Sequence, residues 1–241
     1  MNKPIAKYFD ATSWANSAAA LIMRAIEKTS FERGSCSVML TGGRSAERLY
    51  RTWAALPEFE RMRDVRFYFG DERCVPPDHP ESNYGLAMRT LFLRGVPQKC
   101  AVIRMAAEQP DRAAAAAAYE QKLPDRLDIL LLSMGEDGHI ASLFPHSEAL
   151  VESHRRVISV WAVKPPHERL TVTPPLIALA AHVYVMALGA AKATIFNQAQ
   201  VEPQAIANLP ARLVLSATWF LDTSPTKTVT SPINTPLRQR D

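Results

Sequence analysis

Long apolar runs are missing from this chain. None approaches the roughly 20 residues that cross a bilayer, so no membrane span is expected. The segment MNKPIAKYFD lacks the apolar core of a signal peptide, and a cytoplasmic protein is expected. Cysteine is scarce. Cys36, Cys74 and Cys100 cannot all pair with one another and have no CxxC spacing, which argues against a disulfide framework and for a reducing compartment. There is no HExxH pattern, and His79, His146, His154, His167 and His182 are scattered without ligand spacing, so no metal site is expected. Neither a Walker A loop nor a GxGxxG fingerprint occurs, which argues against a nucleotide-binding protein. No dense Lys/Arg block with interleaved aromatics precedes the C-terminal tail, so nucleic acid is not an expected partner. The net charge of +4 is mild and suits an anionic small substrate.

What is present is an ordinary globular composition, 47% apolar and 22% charged, in a chain of 241 residues that can bury a sizeable core. Short apolar runs alternate with helical stretches. Strands are expected at Ser37–Leu40, Val65–Phe69, Ile129–Leu132, Val157–Val163, Val183–Leu188 and Arg212–Ser216. Helices are expected at Ser13–Lys28, Ala46–Leu56, Asn83–Phe92, Pro110–Lys122 and Ala190–Ala199. The run Ala113–Ala118 needs no reading beyond a strong helix former with a small-residue packing face. The alternation implies an α/β fold, a single-domain open and mostly parallel sheet with helices on both faces, over residues 1–222. Residues 223–241 are rich in Pro, Thr and Arg, with little to bury, and are expected to be a disordered tail.

The most informative segment is Leu130–Pro145. A buried strand stops at Ser133-Met134-Gly135, an acidic glycine-containing turn presents His139 beside Asp137, and Leu143-Phe144-Pro145 closes the segment. This pattern reads as a strand ending in an exposed, flexible functional loop, at the strand end where open α/β sheets bind ligands. An imidazole there, beside a carboxylate, is a reasonable general base. Thr41-Gly42-Gly43-Arg44-Ser45 follows another strand and leads into a helix. It is either a phosphate cradle or a tight turn that needs glycine geometry. Asp71-Glu72-Arg73 follows a third strand, as a ligand-edge cluster or a solvated ion-pair turn, and Ser82-Asn83 has the form of a helix N-cap pair. Arg169 opens an extended segment and has the fork geometry for phosphate or carboxylate, although a surface role is the plainer reading. Lys192 follows Gly189-Ala190-Ala191 at a helix start. There it opposes the helix dipole, which hints at an anionic ligand.

Taken together, these segments resemble the 6-phosphogluconolactonase family of the glucosamine-6-phosphate isomerase/deaminase superfamily. The matching motifs are Thr41-Gly42-Gly43, Asp71-Glu72-Arg73-x-Val75-Pro76, Ser82-Asn83-Tyr84, Met134–His139 with Ser142–Pro145, Arg169-Leu170-Thr171 and Gly189–Lys192. The resemblance runs from about residue 6 to 222 and implies a Rossmann-like fold of the glucosamine-6-phosphate isomerase type. It also implies hydrolysis of 6-phosphoglucono-δ-lactone without metal or organic cofactor, by a monomer or small homo-oligomer. His139 would act as general base and Asp137 would orient it or shape the pocket. Gly42, Gly43, Arg169 and Lys192 would hold the phosphate, Arg73 would add positive potential, and Asn83 would line the pocket. Asp71 joins these as a substrate-side residue, and so does Arg44, which either contacts phosphate or points to solvent.

The chain departs from the family pattern in places. Arg44-Ser45-Ala46 replaces the usual Ser-Thr-Pro, Ser133 stands where glycine is usual, and His146 follows Pro145 where glycine is common. Deaminases of the superfamily carry a glutamate five residues after the histidine. Phe144 occupies that position here, which argues for water attack on a ready-made carbonyl. The alternatives are a deaminase/isomerase-type enzyme and a non-catalytic sugar-phosphate binder.

Overall fold

The computed structural model describes residues 5–10 and 13–222. The expected tail from residue 223 lies outside the described residues. In chain order the elements are β1 (Ile5–Phe9), α1 (Trp14–Arg33), β2 (Cys36–Leu40), α2 (Arg44–Ala54), α3 (Pro57–Arg61), β3 (Val65–Phe69), β4 (Asp71–Arg73), α4 (Asn83–Thr90) and β5 (Ala101–Val102). They continue with α5 (Arg112–Glu120), β6 (Leu127–Ser133), β7 (Val157–Trp161), β8 (Glu168–Val172), α6 (Pro174–Ala178), β9 (Ala180–Ala187), α7 (Ala190–Val201) and β10 (Thr218–Asp222).

Seven strands form one parallel sheet in the order β1-β10-β9-β6-β2-β3-β5. Its central strands are apolar throughout because both faces are covered. Along β6, Ile129 and Leu131 pack with Val38, Leu40, Phe67 and the helices α1 and α2. Their neighbours Leu130 and Leu132 point the other way, toward Met39, Trp219, Tyr119 of α5 and Phe196 of α7. The alternation of side chains across a strand thus feeds two cores, one per face. The polyalanine helix α5 is N-capped by Asp111, whose carboxylate accepts from the Ala114 N–H at 2.9 Å, and it buries Ala115 and Ala116 as the small-residue face.

Two of the sequence expectations need correction. Val157–Val163 was placed among the strands of the main sheet. The strand stops at Trp161 and belongs instead to a separate antiparallel sheet, β4-β8-β7, which packs into the core on the α5 and α7 side. Arg212–Ser216 is not the last strand. Residues Pro210–Val214 form a 3-10 turn, and the strand is β10, at Thr218–Asp222. Pro210 at the start of that turn removes a backbone donor and favours the helical φ. Trp219, Phe220 and Leu221 are fully buried and fill both faces of the sheet.

Asp128 anchors the end of the sheet that lies away from the strand carboxyl ends. Its buried carboxylate accepts from the Ser37 N–H at 2.9 Å and the Ser37 hydroxyl at 2.8 Å, and it pairs with Arg33 at the end of α1. Asp128→Ala leaves the Ser37 donors without an acceptor. It should cost about 2–3 kcal/mol in chemical denaturation. Turnover per folded molecule should stay near wild type, and a large activity loss at full folding would contradict a purely structural role.

Candidate active site

The switch in strand order falls at β9-β6-β2. The chain leaves β2 through α2 on one face and β9 through α7 on the other, so a crevice opens above the carboxyl end of β6. A cavity of about 440 Å³ occupies this crevice. Gly42, Gly43, Arg44, Asp71, Arg73, Asn83, His139, Arg169 and Lys192, all expected from the sequence, line it. Asp137 is the exception, because it stands behind His139 rather than at the wall.

Both helices that face the cavity start in the same way. Gly43 precedes α2 at φ 93 and Gly189 precedes α7 at φ 97, and neither helix has a side-chain cap. A positive φ of this size is glycine territory. Arg44, Ser45, Ala190 and Ala191, whose first-turn N–H groups have no side-chain cap, line the cavity. Two helix N-termini converging on one cavity make a strong anion niche. Lys192 and Arg44 add charge at the first turns. Burial lowers the Lys192 pKa, with Glu136 opposing that shift and Arg44 reinforcing it.

The glycine loop is held by residues that the sequence reading did not single out. The Tyr50 hydroxyl donates to the Thr41 carbonyl at 2.6 Å and accepts from the Thr41 N–H at 2.9 Å. Burial pushes the Tyr50 phenol far above its ordinary pKa, so it remains a neutral donor. At Gly42 a Cβ would fall 1.9 Å from Asn83 Oδ1. Asn83 does more than line the pocket: it sets how close the loop sits to α4. Its amide donates to the Asp71 carbonyl at 2.9 Å and to Asp71 Oδ1 at 3.1 Å.

The acidic block divides its labour. Asp71 faces the cavity and accepts from the Ser142 hydroxyl at 2.7 Å. Glu72 turns away and caps α4, accepting from the N–H groups of Asn83 at 2.7 Å and Tyr84 at 2.8 Å. Burial raises its pKa, against those N–H groups. Ser82 caps the same helix through Gly85, as its residue type predicts. Arg73 lines the cavity and donates to the Glu81 carbonyl at 2.6 Å. The block is a strand, β4, paired with β8, and not a turn.

Arg169 is buried, at 6% exposure, which removes the surface reading. Its guanidinium donates to the carbonyls of Pro166 at 3.0 Å and Lys164 at 3.1 Å, and lies 5.5 Å from the centre of the Phe144 ring. Desolvation lowers its pKa, and Asp71 works against that shift.

The histidine turn is tighter than the exposed, flexible loop expected. The Gly135 N–H donates to the His139 carbonyl at 2.9 Å, and Ile140 bridges to both Met134 and Leu143. A Cβ at Gly135 would lie 2.2 Å from His139 Nδ1, so glycine is required for the ring to fold back over the backbone. Gly138, at φ 77, packs under Leu209. His139 Nδ1 lies 2.5 Å from Asp137 Oδ1, which leaves Nε2 as the free ring nitrogen. The Phe144 ring stands 4.5 Å from the imidazole. Burial raises the Asp137 pKa, but the hydrogen bond and charge of His139 outweigh it and bring the value down to about 2. A depressed carboxylate pKa adds stability above its unfolded value and loses it as pH falls from 3.8 through about 2. The stability gap between wild type and Asp137→Asn should therefore narrow across that window in acid denaturation. A gap that stays constant would sink the pairing.

The family model for glucosamine-6-phosphate isomerases/6-phosphogluconolactonase matches residues 10–221. The 6-phosphogluconolactonase of Mycobacterium tuberculosis is 35% identical over 207 residues, covering 80% of this chain and 84% of the relative. That of Pseudomonas aeruginosa is 34% identical over 218 residues, covering 86% and 89%. The crystal structure of 6-phosphogluconolactonase from Leishmania guyanensis superposes with a TM-score of 0.78 at 28% identity, over 95% of this chain and 99% of that one. The family match includes every segment of the cavity wall, and the chain belongs to the glucosamine-6-phosphate isomerase/6-phosphogluconolactonase family.

Proposed function

We infer that the chain hydrolyses 6-phospho-D-glucono-1,5-lactone to 6-phosphogluconate. The observation that carries this reading is the pairing, in one cavity, of an anion niche made by two glycine-capped helices with an imidazole backed by a carboxylate. The niche takes the phosphate and thereby positions the reacting carbon. Asp137 holds the Nδ1–H tautomer, so His139 Nε2 accepts a proton from water as the water attacks the lactone carbonyl. The tetrahedral intermediate collapses with cleavage of the bond to the ring oxygen. The imidazolium returns its proton to that oxygen as it leaves, giving the open-chain acid. A δ-lactone is an activated ester and needs no covalent nucleophile.

Phe144 supports this reading over a deaminase. It is buried against both His139 and Arg169 and supplies an apolar wall where ring opening and proton shuttling would require a carboxylate. Three free thiols support a reducing, cytoplasmic setting. A monomer or small homo-oligomer is the assembly we propose.

The test is a coupled assay. Glucose-6-phosphate dehydrogenase generates the lactone and 6-phosphogluconate dehydrogenase reports its hydrolysis over the spontaneous rate. Acceleration is expected, and a rate equal to background would refute the reading. Lys192→Ala should raise KM about tenfold with a smaller effect on kcat, because it grips the non-reacting phosphate. Arg169→Ala should raise KM similarly and also lower the melting temperature, since the Lys164 and Pro166 carbonyls lose their donor. Equal hydrolysis of unphosphorylated glucono-δ-lactone would show that no phosphate grip exists.

A further inference from the structure

Ser133 ends β6 and lines the cavity, and its hydroxyl oxygen is buried with no hydrogen-bond partner among the described residues. A buried hydroxyl left unpaired is costly, and where it persists it points to a missing partner. The rest of the residue is fixed. Its N–H donates to Thr41 Oγ1 at 3.2 Å, which pins the backbone and leaves rotation about χ1 as the way the hydroxyl turns toward a partner.

The position of Ser133 follows from the sheet order. β6 lies between β9 and β2, the strands that feed α7 and α2. Along β6, Ile129 and Leu131 pack with α2, and by alternation Ser133 points to the same side. The side chain therefore leaves β6 on the α2 side of the cavity. At the two helix starts the groups that face the cavity are donors, the backbone N–H groups and the Lys192 ammonium, while Asp71 and Glu136 line it as acceptors. A further donor beside those groups is satisfied by an acceptor-rich ligand.

We propose that Ser133 is a substrate-binding residue whose O–H donates to a phosphate oxygen of the substrate. It adds a side-chain donor to a niche otherwise built from backbone and cations. The inference rests on the lactonase reading for the identity of the substrate, but its chemistry requires only a phosphate group.

The experiment compares wild type with Ser133→Ala and Ser133→Gly, checked for folding by melting temperature. Orthophosphate is titrated by calorimetry, and KM and kcat are measured with both the phosphorylated and the unphosphorylated lactone. Both variants should weaken orthophosphate binding about five- to tenfold and raise KM for the phosphorylated lactone by the same factor, while kcat falls less than twofold. Turnover of unphosphorylated lactone should fall far less. Unchanged orthophosphate affinity in both folded variants would overturn the inference, as would equal losses with the two lactones. The orthophosphate titration stands apart from turnover. A wild-type chain that binds phosphate through Ser133 but hydrolyses no lactone would refute the lactonase reading and leave this inference standing.

Discussion

His139→Ala should lower kcat about 1,000-fold, within the range that a positioned general base contributes. The fold should survive, because the ring packs on Phe144 at one edge of the cavity and the turn is closed by backbone hydrogen bonds of Gly135 and Ile140. Orthophosphate affinity should stay close to wild type, since the niche lies on the α2 and α7 side. Asp137→Asn is the sharper companion. It keeps the shape but offers an amide where Nδ1 needs an acceptor, so the imidazole loses its fixed tautomer. A loss of about 100-fold in kcat with little change in KM is expected. Single-turnover rates on the phosphorylated lactone, taken with a phosphate titration, separate the two quantities. Near-normal kcat in His139→Ala would remove the base from the mechanism. A loss confined to KM would reassign the residue to binding.

Gly42→Ala should be the most damaging small substitution on the binding side. The added carbon would sit 1.9 Å from Asn83 Oδ1. Asn83 is 1% exposed and tied to Asp71 through two hydrogen bonds, so it has nowhere to retreat. The loop must shift instead, which disturbs the Tyr50 contacts at Thr41 and the start of α2. A cost of about 2–3 kcal/mol is typical of such overpacking, and KM should rise at least tenfold as the niche opens. A double-mutant cycle identifies the cause. Gly42→Ala combined with Asn83→Ala should be less destabilised than the sum of the two single variants. Strict additivity would mean that the clash is not the source of the loss.

How far the sequence could be read differed from one feature to the next. The histidine turn was legible because an apolar run, a change of polarity and paired glycines fall within a few residues of one another. The niche was legible only as a choice between cradle and turn, since a glycine pair cannot say whether a second helix will meet it. Gly189 and Lys192 resolve that choice only through the strand order β9-β6-β2. The small antiparallel sheet was missed because β4 has only three residues and its partner β8 lies about a hundred residues away. The final strand was misplaced because Leu213-Val214-Leu215 and Trp219-Phe220-Leu221 are equally apolar, and periodicity does not separate a short helical turn from a strand. The relay from Asn83 through Asp71 to Ser142, the Tyr50 clasp and the Glu72 cap join residues far apart in the chain and leave no local pattern.

The way the two helices begin has a consequence for how this protein can change over generations. A backbone N–H is supplied by every residue except proline. The anion niche therefore places few demands on Ser45, Ala190 or Ala191, and constrains mainly the glycines that turn into each helix. Most drift at those positions would leave the proposed phosphate capture untouched. On the proposed mechanism the chemistry, by contrast, is concentrated in one short turn and the aromatic ring beside it. A lineage built on this frame can keep its handle for phosphorylated sugars while selection rewrites what is done to the other end of the molecule.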